Sequence, residues 1–334
     1  MRRWRRPVAL LERVEERPVA LSCLALAVAG GASAGMAIVA GPNAVREVLE
    51  DVAPLWLAVL VAAQVVSYAS YTVAHRWAMM VRGRGELTSG TALRMAAYGA
   101  GATSLRGGFS IDRRALRGAG ASRRRANVRV LGLGVLEYAV LAPAAWACAV
   151  LLLGDPHVQK AVTIPWALGV PLGSIAALWL SSSARPGHPS RSGWLRRALG
   201  DAVGALELFG ELLRHPLRRH VPWLAMGVHW LAEVFSLWAA LRAFGLDPSL
   251  DVVVLGYATG YALTPRSMPL AGTGVTEVLL PLSLLWVGLP LAHAVVSVFA
   301  YRIVRLVLAM PPAIAARERV QALVRHHRRA SQRV

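Results

Sequence analysis

Six stretches of this chain are each long and apolar enough to cross a hydrocarbon core, which takes about 20 residues of helix. They run from Pro18 to Ala40, Ala53 to Met80, Val130 to Leu153, Ala161 to Leu180, Val221 to Leu241 and Leu291 to Ala316. A backbone in hydrocarbon must satisfy its own polar groups, which confines such a chain to spanning helices. Of the 334 residues, 56% are apolar before 30 Gly are counted, and 16% are charged, against about 25% in ordinary soluble domains. With a mean hydropathy of +0.48, disorder, a disulfide scaffold and an ordinary soluble enzyme are all poor fits. The cysteines, Cys23 and Cys148, both lie inside apolar runs and make no disulfide framework. Ala32-Ser33-Ala34 in the first stretch resembles a signal-peptidase site, but apolarity continues to Ala40, so the stretch reads as an uncleaved anchor.

The net charge is +19, and every basic residue but Lys160 is Arg. In a soluble protein that balance would suggest nucleic acid. Here the arginines lie between the apolar spans, where membrane topology and anionic headgroups explain them, and no nucleic-acid partner is expected. Residues 1–17, 82–129, 182–220 and 317–334 hold 6, 11, 7 and 6 Arg, whereas the alternate connections hold only Arg46 and Lys160. Cytoplasmic loops retain positive charge during insertion. This predicts a multi-pass protein of the cell membrane with both termini in the cytoplasm. Residues 1–17 form an Arg-rich start, 18–316 a single membrane domain and 317–334 a basic tail. Apolar residues near helical spacing between 193 and 215 suggest an amphipathic cytoplasmic helix ended by Pro216.

Two further apolar regions are too short or too broken to span. Val252 to Thr264 and Val275 to Leu289 flank a Pro- and Gly-containing break from Pro265 to Gly274. Such a break leaves backbone groups unpaired, which is tolerated at membrane depth only where protein or a watery cavity satisfies them. The pattern predicts a re-entrant helical hairpin near 249–289, with a counterpart near 88–121 entering from the other side. The expected fold is an all-α polytopic membrane protein of six full transmembrane helices plus two re-entrant hairpins arranged as an inverted repeat. In transporter folds, paired interrupted segments of this kind point to the substrate site.

Ionisable residues inside spans are costly unless paired or wet. Glu137 and Arg302 sit near the middle of their spans, and an inverted repeat would bring them together, as a structural lock or as a gating or proton-coupled pair. Arg305, one turn beyond, is placed either to pair with Glu137 or to snorkel towards the cytoplasm. Arg106 and Arg266, each at the break of a hairpin, are suited to grip a lipid phosphate or to cap freed carbonyls. Glu277 opens the second short helix, where a carboxylate favours the dipole; it reads as a cap or as the binder of a cationic headgroup or a proton. With Gly272 and Gly274 in the break, these residues form the candidate substrate site. His229 and Glu233, four apart, share one helix face. They lack further ligands at metal-site spacing and read as polar groups hydrogen-bonded within a cavity; Gln64, His75 and Arg76 are polar enough to line a cavity too, the last two being placed by position at the interface.

Residues Pro269-Leu270-Ala271-Gly272-Thr273-Gly274-Val275-Thr276-Glu277, then Gly288-Leu289-Pro290, then Tyr301-Arg302 resemble the C-terminal signature of the lysylphosphatidylglycerol synthetase transmembrane domain family, the flippase-like membrane proteins. Upstream, Gly107-Gly108-Phe109-Ser110-Ile111-Asp112-Arg113-Arg114-Ala115-Leu116, Gly120-Ala121-Ser122 and the span bearing Glu137 are similar to that family's other motif region. The resemblance implies a membrane domain that moves lipids between leaflets, in the best-studied members aminoacylated phosphatidylglycerol. Those members carry a soluble aminoacyl-transferase domain after the membrane part, whereas this sequence ends soon after its last span, so synthesis of the modified lipid is not expected. Where the family often has Glu-Arg, this chain has Glu137-Tyr138.

No H-E-x-x-H or Walker A pattern is present, and neither an enzymatic activity nor a cofactor or metal is expected. The leading expectation is a transporter of an anionic phospholipid or polyprenyl-phosphate lipid. The alternative is a noncatalytic membrane subunit that anchors or regulates a separate lipid-modifying enzyme.

Overall fold

Where described, the long apolar runs fold as helices. The computed structural model describes residues 18–79, 90, 112–113, 116–117, 121–183, 200–206, 210, 220–264, 272–308 and 310–311. The Arg-rich start, most of the first expected hairpin with Arg106, most of 193–215, residues 265–271 of the break with Arg266, and the basic tail lie outside the described residues.

Among the described residues there are nine main helices and no strand. They are α1 (Pro18–Ala40), α2 (Pro42–Glu50), α3 (Pro54–Met79), α4 (Arg123–Leu151), α5 (Lys160–Ser183), α6 (His220–Ala243), α7 (Leu250–Leu263) and α8 (Thr276–Trp286), followed by α9 (Leu291–Leu308). Six of them hold segments long and apolar enough to cross a membrane: Cys23–Ala40, Pro54–Trp77, Arg123–Gly154, Lys160–Trp179, His220–Ala243 and Leu291–Leu308. These are the six stretches read from the sequence, and with the family match given below they make the chain a multi-pass membrane protein. The small helix α2 was not foreseen. Gly41, at φ 96°, turns the chain into Pro42 at the helix start, and an Arg46–Glu50 pair at 3.2 Å lies along its exposed face.

The bundle is built around α6, the most buried span, which packs along α3. Leu60 of α3, Leu133 and Leu136 of α4, Met226, Leu237 and Leu241 of α6 and Tyr301 of α9 fill the interior. By contrast, α5 packs on α4 by one side and turns Leu168, Leu172, Ile175, Leu178 and Trp179 outward. An apolar outer face is what contact with lipid chains requires.

The short helices α7 and α8 pack side by side, and α7 also meets α4. Two glycines set their spacing. Ser283 of α8 donates to the Gly256 carbonyl at 2.8 Å, which demands close backbone approach. A Cβ on Gly260 would lie 2.6 Å from Leu280 Cδ1, 2.9 Å from Ser283 Oγ and 3.1 Å from Leu280 Cα. Gly260→Ala is therefore expected to destabilise by about 1–3 kcal/mol, the ordinary cost of overpacking. Gly227→Ala, where a Cβ would meet nothing within 4 Å, should be neutral. Thermal unfolding of both variants in detergent checks this, and equal melting would show that the helices separate freely.

Candidate functional site

Arg302 and Arg305 are three residues apart on α9 and so emerge from nearly the same face. Each meets a carboxylate from a different helix. Arg302 Nε donates to Glu277 Oε1 at 2.7 Å, and its Nη2 lies 3.3 Å from Thr273 Oγ1. The other oxygen, Glu277 Oε2, accepts the Gly274 backbone N–H at 2.6 Å. Glu277 thus reaches back three residues to a helix-start donor, in the manner of a capping box, while its negative charge favours the α8 N-terminus. The turn holding these groups depends on Gly272 at φ 78° and Gly274 at φ 90°, a left-handed backbone that side chains with a Cβ resist. Thr276 Oγ1 ties it together by donating to the Gly272 carbonyl at 3.0 Å. Glu277 is 1% exposed and Arg302 8%, so this is a buried ion pair joining the start of α8 to the middle of α9.

A second cluster centres on Glu233 of α6. Its Oε1 accepts from Ser67 of α3 at 2.5 Å, and its Oε2 accepts from Tyr257 of α7 at 3.0 Å, from Arg305 at 2.5 Å and from the Tyr301 hydroxyl. Arg305 Nη1 also donates to Tyr301 at 2.7 Å. One carboxylate therefore draws donors from three other helices onto α6. His229, one turn before Glu233, places Nδ1 3.0 Å from Ser67 Oγ and 3.1 Å from the Ser67 carbonyl. Since the serine hydrogen is committed to Glu233, the imidazole is the donor at Nδ1. In a hydrolytic triad the imidazole stands between acid and hydroxyl; here the hydroxyl stands between the other two. Among the described residues, no three His, Cys, Asp or Glu come together as a metal site would need.

Glu137 of α4, 1% exposed, accepts the Tyr261 hydroxyl at 2.7 Å, and its backbone carbonyl accepts Trp230 Nε1 at 2.9 Å. The sequence reading joined Glu137 to Arg302, and that pairing is corrected by the structure. Both residues sit at mid-span, but α4 meets α7, so Glu137 faces the α7 tyrosine while Glu277 reaches Arg302. Arg305 likewise neither pairs with Glu137 nor simply snorkels; it is held by Glu233 with its side chain 29% exposed. His75 lies inside rather than at the interface, 2% exposed, 3.3 Å from Asp112. Gln64 donates to Ser236 at 2.6 Å.

Ser67, Tyr257, Tyr261 and Thr273 were missed from the sequence as parts of this network. The one available signal was spacing: Tyr257 and Tyr261 are four apart on a short helix, and Tyr301 is four before Arg305.

A buried arginine and a part-buried one, each balanced by a carboxylate, give a site of low net charge. A phosphate has the acceptor geometry that guanidinium matches, so it can stand where Glu277 stands on Arg302. No curated protein and no solved structure matches the chain. The family described as lysylphosphatidylglycerol synthase TM region matches residues 22–313, a range that holds both clusters and both short helices. The chain belongs to that family.

Proposed function

We propose that this protein is a lipid transporter that moves a phospholipid or lipid-linked phosphate between leaflets of the plasma membrane without chemically altering it. The observation that carries this reading is the buried Glu277–Arg302 pair, seated where a Gly-rich turn interrupts two short apolar helices. In this proposal α7 and α8 form a re-entrant hairpin, and residues 88–121 supply its inverted counterpart with Arg106. The headgroup phosphate displaces Glu277 from Arg302, and the second cluster at Glu233 holds α9 in register while the exchange occurs. Arg266, which the sequence places between the two short helices, supplies a further cation in this proposal. Membership of a lipid-related membrane family supports the lipid as cargo, and the arginine asymmetry of the connections supports cytoplasmic termini.

The expected result is headgroup-selective movement of labelled phospholipid or polyprenyl-phosphate lipid in vesicles holding the purified protein and not in empty vesicles. Well-folded protein that moves none of these lipids would overturn the reading. The family description, which names a region of a synthase, favours one other role, a membrane subunit of a lipid-modifying enzyme. That role predicts a soluble enzyme that co-purifies and is lost when residues 193–215 are replaced.

A further inference from the structure

A third buried ionisable group lies apart from the two clusters. His75, 2% exposed near the C-terminal end of α3, places Nε2 3.3 Å from Oδ2 of Asp112, itself 4% exposed. The remaining polar atoms of this couple, His75 Nδ1 and Asp112 Oδ1, are both buried without a hydrogen-bond partner. Buried polar atoms are ordinarily satisfied, and exceptions call for an explanation. Both orphaned atoms belong to one ionisable pair.

With a neutral imidazole and an ionised carboxylate, the couple carries one buried negative charge, which a low-dielectric interior penalises. Adding one proton cancels it, as imidazolium beside carboxylate or as imidazole beside carboxylic acid. These two forms hold the same number of protons. A metal ion would need more ligands than His and Asp supply. Imidazole is also the side chain whose charge changes most readily near neutral pH. We propose that His75 and Asp112 form a buried proton-exchange site, separate from the Glu233 and Glu277 clusters.

Its position gives the site a use. Ser67, Tyr71 and His75 recur every four residues on α3 and so lie on one face. The Tyr71 ring packs 5.9 Å from the His75 ring and 5.1 Å from that of His229, beside the Ser67–Glu233 contact. Tyr71 thus stands between the couple and the cluster that holds α9. The other acidic, basic and histidine groups on the elements meeting here are Arg76 on α3, His220, His229, Glu233 and Arg242 on α6, Arg123, Arg124, Arg125, Arg129 and Glu137 on α4, and Arg113 next to Asp112. Resting on the transport reading, the couple would make the proton the ion to which lipid movement is coupled.

Proton exchange is read without any lipid assay. Among the described residues Asp112 is the one buried Asp; the other buried carboxylates are Glu137, Glu233 and Glu277. Infrared difference spectra of the purified protein, taken between about pH 5 and pH 9, lie above the range in which exposed Asp titrates. Protein labelled with 13C-Asp should show a carboxyl band that changes with pH and shifts with the label. That band should vanish in Asp112→Asn and move in His75→Gln. A labelled wild type with no such band overturns the proposal even if the variants fail to fold, and so does a band unchanged in folded Asp112→Asn. In vesicles, an imposed pH gradient should bias lipid movement by wild type and not by Asp112→Asn, whereas movement blind to the gradient overturns the coupling role. If the band is present and no lipid moves, the proton site is supported and the transport reading is the one that falls.

Discussion

Glu233→Ala is expected to be among the most damaging single substitutions in this protein, costing about 3–5 kcal/mol, since each buried donor left unsatisfied costs about 1–3 kcal/mol. The reason is the number of donors it strands. Ser67, Tyr257, Tyr301 and Arg305 all donate to this carboxylate, and they come from α3, α7 and α9. Glu233→Gln keeps an acceptor for the hydroxyls but removes the charge facing Arg305, and should cost about 1.5–3 kcal/mol, the range for hydrogen bonds to charged groups. Ser67→Ala and Tyr257→Phe each remove one neutral donor and should cost about 1 kcal/mol. Unfolding in detergent orders the four variants, and Glu233→Ala as stable as Tyr257→Phe would show that the cluster does not bind the helices together.

The second large effect concerns Arg302 and Glu277, and its signature is non-additivity. Arg302→Met leaves the Glu277 carboxylate buried with only the Gly274 N–H, and Glu277→Leu leaves the Arg302 guanidinium buried with Thr273. Each should cost about 3–5 kcal/mol. The double variant removes both charges and fills the space with apolar side chains, so it should be close to wild type in stability, as replaced buried ion pairs often are. A double variant that loses the sum of both costs would mean that the two residues do not act as a pair.

The spans were legible in the sequence because hydrocarbon thickness imposes a length and a composition, and both can be read along the chain. The short helices α7 and α8 were legible for a related reason: Pro265 and Gly274 interrupt an apolar run that is too short on either side. Partner choice was not legible. Sequence position gives the depth of Glu137, Glu277, Arg302 and Arg305 in the bundle, but which carboxylate meets which arginine depends on how each helix is rotated and which helix it touches. Glu137 and Arg302 match in depth, yet α4 turns Glu137 to Tyr261 and the start of α8 brings Glu277 to Arg302. Helix α2 was hidden because a search for apolar spans passes over a nine-residue amphipathic segment, although Gly41-Pro42 marks its start. The tyrosines and Ser67 were hidden because a hydroxyl in an apolar run has the same pattern whether it packs or bonds a carboxylate. His75 looked interfacial from its place near the end of a span, and only Asp112, 37 positions away in sequence, accounts for its burial.

The central claim is that Arg302 exchanges Glu277 for the phosphate of a lipid headgroup. The Arg302→Met/Glu277→Leu double variant tests it most directly, because that protein should fold and insert as wild type does while lacking the group that grips phosphate. Headgroup-resolved lipid translocation in vesicles holding equal amounts of each protein should proceed with wild type and fall to the rate of empty vesicles with the folded double variant. Movement of the same lipid at the wild-type rate by the double variant would contradict the account and move the headgroup path away from the start of α8.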